Sequence, residues 1–241
     1  MKYTLVIMNL FYTPDIKGDY YILSPEESKH CLRVLRMGAG DSLVLVDGQG
    51  GWYEGVIEDA NAKGCGVRIC RVQEHYGQRP FRMHLAIAPT KNMDRMEWML
   101  EKCTEMGIEV ITLLETAHSE RKVVRMDRLE KVAVSAMKQS QKAYLPELRA
   151  VSVFRQFVSD CTERYKFIAH CHAGEKKRLD EVYVPGEDAL VLIGPEGDFS
   201  TEEVAFAQAH GFVPITLGIS RLRTETAGMV ACHSINFMNK V

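Results

Sequence analysis

Two glycine-containing segments near the carboxyl terminus carry residue types that could bind a ligand. Residues 194–200 read Gly-Pro-Glu-Gly-Asp-Phe-Ser, and residues 218–227 read Gly-Ile-Ser-Arg-Leu-Arg-Thr-Glu-Thr-Ala. Each segment directly follows an apolar run that is typical of a buried strand. Glycine lets backbone amides and carbonyls approach a ligand closely, and parallel α/β sheets bind ligands beyond the carboxyl ends of their strands. We therefore predict a ligand site here, although two tight strand-to-helix turns would also explain the glycines.

Neither segment matches a common phosphate-binding pattern. The first lacks the Gly-Lys-Ser/Thr that completes a P-loop, and neither contains the dinucleotide fingerprint Gly-x-Gly-x-x-Gly. This counts against phosphate-driven chemistry. It also counts against the Rossmann-type methyltransferases, whose glycine-rich loop follows the first strand.

A metal centre is not expected. The cluster His170-Cys171-His172 lacks a second group of ligands, and neighbouring residues of a strand point to opposite faces. The seven cysteines are scattered along the chain. Because no export signal precedes them, we expect reduced and mostly buried thiols.

The composition places limits on localisation and partners. The apolar run within residues 1–8 is too short for a signal-peptide core, Met8 is an alternative start, and no stretch is long enough to span a membrane. We therefore expect a cytoplasmic protein. The net charge of −2 does not indicate a nucleic-acid-binding protein, so any RNA affinity must come from local basic surfaces.

The elements divide into two regions. Residues 1–75 contain short strands around one helix, with a capping box at Ser24 to Glu27 and Gly38 after the helix, which predicts a small β-barrel. Residues 76–80 are polar and contain Gly77 and Pro80, which predicts a linker. In residues 76–241, apolar runs at 83–88, 110–114, 167–170, 189–193 and 213–217 alternate with helical patterns, among them the stripe of Met96, Met99, Leu100 and Cys103 and a capping box from Ser200 to Glu203. This alternation predicts an α/β domain with a parallel sheet covered by helices on both faces.

The chain resembles the ribosomal RNA small subunit methyltransferase E family, the 16S rRNA (uracil-N3)-methyltransferases of the SPOUT superfamily. The resemblance rests on residues 30–36, 91–107 and 139–146 and on the two glycine segments, and it extends over nearly the whole chain. It implies a PUA-like β-barrel, a SPOUT domain with a trefoil knot, and a homodimer. Three departures concern Asp198 in place of a glycine, Lys142 in place of an arginine, and a missing arginine in residues 8–12.

The resemblance also implies S-adenosylmethionine (SAM) as cofactor, with S-adenosylhomocysteine as product. Carried over to this sequence, the cofactor-binding residues are His170, Ile193, Gly194, Glu196, Gly197, Leu217, Gly218, Leu222 and Thr226. Apolar walls and backbone hydrogen bonds suit adenine, which has no phosphate charge. Plain core packing is the alternative for Leu217 and Leu222.

Methylation of uridine N3 requires loss of a weakly acidic proton and stabilisation of negative charge on the flanking carbonyl oxygens. Arg223 is the candidate for that stabilisation, because guanidinium stays charged and offers forked donors. Glu225 or Glu196 could accept the proton, but Glu225 could also pair with Arg223 or stabilise the first turn of a helix. Positioning of the uridine alone could supply most of the acceleration.

The expected partner is 16S rRNA or the small ribosomal subunit. Candidate RNA-binding residues are Lys29, Arg33, Arg36, Lys91, Gln139 and Lys142. Lys29, Arg33 and Arg36 are expected on one helical face, and further basic residues occur between Arg121 and Lys142. A solvated surface is the alternative for each. Other acceptors in the superfamily, a ribose 2′-hydroxyl or a transfer RNA base, and a non-catalytic ribosome-assembly factor remain competing functions.

Overall fold

Short strands joined by tight turns build the first unit of the structure, a computed structural model that describes residues 9–241. The predicted start region, residues 1–8, lies outside the described residues. The strands of this unit are β1 (Leu10–Tyr12), β2 (Tyr20–Ile22), β3 (Ser42–Val46), β4 (Trp52–Asp59) and β5 (Gly66–Gln73). They form a mixed sheet in the order β1-β3-β4-β5-β2, in which only the β1–β3 pair is parallel. Its core includes Phe11, Leu43, Leu45 and Val67, all fully buried.

One helix of this unit differs from the prediction. Helix α1 (Pro25–Lys29) begins at the predicted cap, where the Ser24 side chain accepts a hydrogen bond from the Glu27 amide. It continues as a π-helical turn over His30–Val34. Arg36 lies beyond this turn in the left-handed region, with φ of 57°, so the predicted single helical face for Lys29, Arg33 and Arg36 is wrong. The wider π-helical turn and the reversal after it change the direction of the chain.

The second unit is built on an entirely parallel sheet. Its strands are β6 (Met83–Ile87), β7 (Val110–Glu115), β8 (Glu147–Val153), β9 (Tyr165–Ala169), β10 (Lys177–Arg178), β11 (Ala189–Ile193) and β12 (Val213–Thr216). Their order is β10-β12-β9-β11-β6-β7-β8. All residues of the central strands β6 and β11 are buried, as expected when both faces of a parallel sheet are covered.

Helices connect these strands. They are α2 (Met93–Glu105), α3 (Met126–Gln139), α4 (Phe154–Asp160), α5 (Leu179–Val182), α6 (Thr201–Ala209) and α7 (Thr224–Met238). The predicted apolar stripe of α2 is buried, and Gly107 after it has a φ of 83°. The predicted Ser200–Glu203 capping box starts α6. A side chain at Gly228 of α7 would meet Leu85 and Ile87 at 3.2 and 3.1 Å, so α7 packs tightly against β6.

The structure divides the chain near the predicted linker. One unit ends at Gln78 and also contains Met137–Leu145, whereas the other comprises Arg79–Ala136 and Pro146–Val241. Met137 and Ala143 are buried with Val44, Val46 and Trp52 of the first unit. Sequence analysis assigned residues 137–145 to the second region, because contacts distant in sequence leave no local pattern. In residues 9–241, no helix is both long and apolar enough to cross a membrane.

Candidate active site

The carboxyl ends of four neighbouring strands lie side by side at one edge of the parallel sheet. The strands are β12, β9, β11 and β6, in that order. The two glycine segments follow β12 and β11, and residues 170–176 follow β9. The sheet order therefore brings together segments that are separated in sequence, at the edge where parallel sheets bind ligands.

A cavity of about 720 Å³ opens at this edge. Its lining is formed by the ends of β9, β11 and β12, the residues after β9, the two glycine segments and one residue of α2: Arg95, Ala169, His170, Cys171, Lys176, Ile193, Gly194, Pro195, Glu196, Asp198, Ile215, Thr216, Leu217, Gly218, Ile219, Ser220, Arg221, Leu222, Arg223, Thr224 and Ala227. This volume is in the range of small-molecule sites. We call it the first cavity.

The segment 194–200, here called the first loop, is fixed by hydrogen bonds among its own residues and by hydrogen bonds to other segments. Asp198 has a φ of 66°, in the left-handed region that aspartate tolerates better than most residues. Its carboxylate accepts hydrogen bonds from the Cys171 amide at 2.7 Å and the Phe199 amide at 2.8 Å. Aspartate at this position therefore holds the same kind of backbone conformation as a glycine and adds a link to the end of β9.

Further bonds attach the first loop to other segments. The Thr224 hydroxyl donates to the Gly194 carbonyl at 3.1 Å, and the Lys91 amide donates to the Glu196 carboxylate at 3.0 Å. A β-carbon at Gly194 would lie 3.0 Å from the Phe199 amide nitrogen, so the first loop leaves little room for a larger residue here. The first loop is thus a preformed wall of the cavity.

His170 lies at the end of β9 and lines the same cavity. Burial lowers its pKa below the ordinary value of 6.5, and the nearby Lys176 charge lowers it further, while Asp198 acts in the opposite direction. The buried Nδ1 atom has no hydrogen-bond partner in the protein. A neutral imidazole with an unused nitrogen is suited to a hydrogen bond with a ligand.

The segment 217–223, here called the second loop, has a different character. Gly218 has a φ of 129°, and its amide donates to the Thr216 hydroxyl at 3.2 Å. Ile219 is fully exposed. Within the described part of the chain, no hydrogen bond joins residues 219–222 to another segment. The second loop is therefore held mainly by its two ends.

The two predicted catalytic residues lie close together, but they do not pair. Arg223 lines the first cavity and forms no ion pair with any residue between 9 and 241. Glu225 begins α7, is 6% exposed, and pairs instead with Arg95, whose Nε atom lies 3.9 Å from Glu225 Oε1. The Glu225 Oε2 atom is buried without a hydrogen-bond partner.

Most of the predicted cofactor-binding residues line the first cavity. They are His170, Ile193, Gly194, Glu196, Leu217, Gly218 and Leu222. Gly197 lies outside this lining, and its carbonyl is 3.1 Å from His118 Nδ1. Thr226 lies outside it too and lines a neighbouring cavity with Arg95 and Trp98.

Sequence reasoning missed Arg95, Cys171, Lys176 and Asp198 as cavity residues. Arg95 had a usable signal, since it lies in the first turn of a helix that follows a strand end. Asp198 was noted only as a departure from a family pattern. Nothing in the local sequence distinguishes Lys176 from other surface lysines.

The predicted RNA-binding residues lie in different settings. Lys29, Arg33 and Arg36 are exposed, and none of them forms an ion pair within the described chain. Gln139 is exposed at the end of α3, and Lys142 is half-buried beyond it. Lys91 pairs with Glu120 at 2.9 Å. The further basic residues between Arg121 and Lys142 are largely neutralised, because Lys122, Arg125, Arg128 and Lys138 all form ion pairs.

Among residues 9–241 there is no group of three or more histidine, cysteine, aspartate or glutamate side chains placed to hold a metal ion. Cys31, Cys65, Cys103 and Cys232 are buried, and Cys70 and Cys171 are exposed. Burial raises the pKa of Cys31 to about 12. The Cys31 thiol is therefore a packing residue rather than a nucleophile at neutral pH.

Comparisons with known proteins agree with this architecture. Residues 77–236 match the family model described as an RNA methyltransferase domain, and residues 23–70 match an RNA methyltransferase PUA domain. The chain is 29% identical over 229 residues to a ribosomal RNA small subunit methyltransferase E from Buchnera aphidicola, with 92% of this chain and 89% of that protein covered.

Solved structures extend the likeness to three dimensions. A structure described as a probable rRNA-methyltransferase from Porphyromonas gingivalis is 44% identical, with a TM-score of 0.92 and coverage of 97% of this chain and 99% of that one. A methyltransferase from Legionella pneumophila, solved in complex with SAM, is 33% identical, with a TM-score of 0.85 and coverage of 95% and 97%. The fold class predicted from the sequence, a SPOUT-type parallel α/β domain with a PUA-like domain before it, is confirmed.

Proposed function

The chain belongs to the RNA methyltransferase family that matches residues 77–236, and from this premise we propose that it uses SAM to methylate N3 of a specific uridine in 16S rRNA. One observation carries the proposal. Two glycine loops at the ends of β11 and β12, the strands on either side of β9, enclose a cavity whose size and lining fit an adenosyl ligand.

The lining of the first cavity fits SAM on three counts. Ile193, Leu217 and Leu222 supply apolar walls for adenine. The Gly194 backbone can be approached closely because no side chain covers it. The unpartnered His170 Nδ1 offers a hydrogen bond. When bound, SAM supplies a methyl group activated by its sulfonium centre.

The protein's own residues would then prepare the acceptor. Arg223 would stabilise the negative charge that develops on a uracil carbonyl oxygen as the N3 proton leaves. Glu225 would accept that proton, and Glu196 is less suited to this role because its carboxylate already accepts from the Lys91 amide. The first loop holds the wall against which the cofactor is positioned.

Two experiments test the proposal. Calorimetry with EDTA-treated protein should show binding of both SAM and S-adenosylhomocysteine, and binding that needs added zinc would contradict it. Mass spectrometry of 16S rRNA from a strain lacking the gene should show loss of one N3-methyluridine. Loss of a ribose methylation instead would favour the competing 2′-hydroxyl acceptor.

We propose that Lys29, Arg33 and Arg36 contact RNA phosphates. They are exposed and form no ion pair within residues 9–241, unlike Lys122, Arg125 and Arg128 of the second unit. Each neutralised phosphate contributes about 0.7 to the slope of log affinity against log salt on single-stranded RNA, so alanine at all three should make that slope shallower by roughly 2 units. The ion-paired set Lys122, Arg125 and Arg128 provides a matched control, for which we expect a smaller change. An unchanged slope in the first variant would leave these three residues as solvated surface.

We further propose that the protein is a homodimer. Its substrate would be 16S rRNA or the small ribosomal subunit, and it would act in the cytoplasm. The small residues of α7 do not argue for dimerisation, because Gly228 and Ala231 pack inside the subunit. Light scattering at micromolar concentration should give twice the 27.3 kDa chain mass, and a single chain mass would refute the dimer.

A further inference from the structure

A second cavity of about 590 Å³ lies beside the first. Helix α2, the end of the second loop and the first turn of α7 line it, with Asp94, Arg95, Trp98, Arg221, Leu222, Arg223, Glu225 and Thr226. Arg95, Arg221, Leu222 and Arg223 line both cavities. A molecule in the second cavity would therefore be a direct neighbour of a molecule in the first.

Glu225 gives the second cavity an unused hydrogen-bond acceptor. Its side chain is 8% exposed, and its Oε2 atom is buried with no partner. A buried carboxylate oxygen without a hydrogen bond is costly and rare in folded proteins. The arrangement favours a ligand that brings an N–H group to this oxygen.

Trp98 gives the same cavity an aromatic surface. Its side chain lies one helical turn after Asp94 on α2 and is 42% exposed. Aromatic side chains that line a site next to basic residues are the usual stacking partners of unpaired nucleobases. Such contacts bind a planar ring without distinguishing one base from another.

The charged groups can supply that distinction. The Glu225 carboxylate accepts hydrogen bonds, and the guanidinium groups of Arg95 and Arg223 donate them. Uracil presents the complementary edge, an N3–H donor between two carbonyl acceptors. Cytosine N3 and adenine N1 are acceptors that a carboxylate would repel, and guanine replaces one of the two carbonyls by an amino donor.

We infer that the second cavity is the acceptor-base subsite, in which Trp98 stacks on a uracil ring and Glu225, between Arg95 and Arg223, selects its edge. This inference rests on the proposed function and deepens it, because it names the residues that choose the base. Arg95 donates to the base edge directly, and its pairing with Glu225 also orients that carboxylate.

The two tryptophans of the chain allow a direct test on the intact protein. Trp52 is buried and stacks on Tyr76, with 4.2 Å between ring centroids, so a Trp52→Phe background isolates the emission of Trp98. Uridine is titrated at millimolar concentration into this protein saturated with S-adenosylhomocysteine. We expect saturable quenching by uridine. Cytidine should bind at least about tenfold more weakly than uridine.

Glu225→Gln is the matched variant. An amide presents either a donor or an acceptor, so the difference between uridine and cytidine should nearly disappear while uridine still quenches. Trp98→Ala should lower kcat/KM for 16S rRNA by about tenfold, with SAM affinity unchanged, and Trp98→Phe should restore most of it.

If uridine and cytidine quenched equally in the Trp52→Phe protein that retains Glu225, the inference would be overturned. Absence of quenching together with normal rRNA turnover by Trp98→Ala would also overturn it. So would a Trp98→Ala protein whose loss of turnover follows a change of oligomeric state in light scattering. Quenching that selects uridine in a protein that does not methylate rRNA would instead contradict the proposed function and leave the subsite in place.

Discussion

The two loops that enclose the first cavity follow β11 and β12 at the same edge of the sheet, yet hydrogen bonds hold them very differently. The first loop is connected to β9, to the Lys91 segment and to α7 by hydrogen bonds of Asp198, Glu196 and Gly194. In the second loop, Ile219 is fully exposed and residues 219–222 make no such bonds. In the proposed function, the first loop is a fixed wall that would position the cofactor, and the second loop is a less constrained segment that would bring Arg223 to the acceptor.

This comparison predicts that loss of the Arg223 side chain from the second loop affects rate more than SAM binding. Arg223→Ala should slow methyl transfer by about 10²-fold or more, the scale of a lost oxyanion donor, while SAM affinity falls much less. Single-turnover kinetics and calorimetry measure the two quantities. Arg221→Ala, two residues away, is the matched variant and should slow transfer less. Equal losses of rate and affinity would make Arg223 a cofactor-pocket residue.

Changes in the first loop should affect stability and binding together. Asp198→Ala loses two hydrogen bonds and keeps a β-carbon in the left-handed region without the local bond that lets aspartate tolerate it, so it should destabilise the protein by about 2 kcal/mol. Asp198→Gly loses the same bonds without the backbone strain and should cost about 1 kcal/mol. Chemical denaturation measures both, with the exposed Ile219→Ala as a control near zero. A glycine variant less stable than the alanine variant would contradict this account of Asp198.

Hydrogen exchange compares the two loops in one experiment. Amides of residues 219–222 should exchange quickly in the free protein and slow by about tenfold with SAM, since they lack partners in the protein. Amides of Asp198 and Phe199 should be protected in both states because they are already bonded. Equal protection of the two loops before SAM is added would remove the distinction.

The smallest expected effect concerns pH. Because burial lowers the pKa of His170 below 6.5, the unfolded chain binds a proton before the folded protein does as pH falls. The contribution of the neutral ring to folding stability is therefore fully present above the pKa that His170 has in the unfolded chain. It is lost as pH falls from that pKa towards the lower pKa of the folded protein. SAM affinity should stay constant from pH 8 to about 6.5. Below that pH it should weaken by less than tenfold per pH unit, because protonation of the His170 ring removes the neutral imidazole from the site. Calorimetry with His170→Asn should show no such decrease, and the same decrease in that variant would exclude His170.

Local sequence signals predicted the strands and helices that surround the site. Apolar runs located β6, β9, β11 and β12, and capping residues located the starts of α1 and α6. They could not give the order of the strands, which alone places Arg95 and Trp98 next to Arg223. The short elements β10 and α5 lie below the length at which periodicity is detectable.

Other parts of the site depended on long-range information. The pairing of Glu225 with Arg95 joins two helices that are far apart in sequence. The residues around Glu225 contain no pattern that predicts this pairing. The trefoil knot came only from the family resemblance, because threading of a chain leaves no local pattern. The left-handed backbone at Arg36 ended a helical face that spacing alone had extended.

In vitro methylation with isotope-labelled SAM tests the central claim most directly. Purified protein is incubated with 16S rRNA from a strain lacking the gene and with SAM that carries a deuterated methyl group, and the digested nucleosides are analysed by mass spectrometry. The account predicts one labelled N3-methyluridine per RNA, formed at least about 10²-fold more slowly by Arg223→Ala. Label on a ribose or on another base, or no label in a protein that binds SAM, would contradict it.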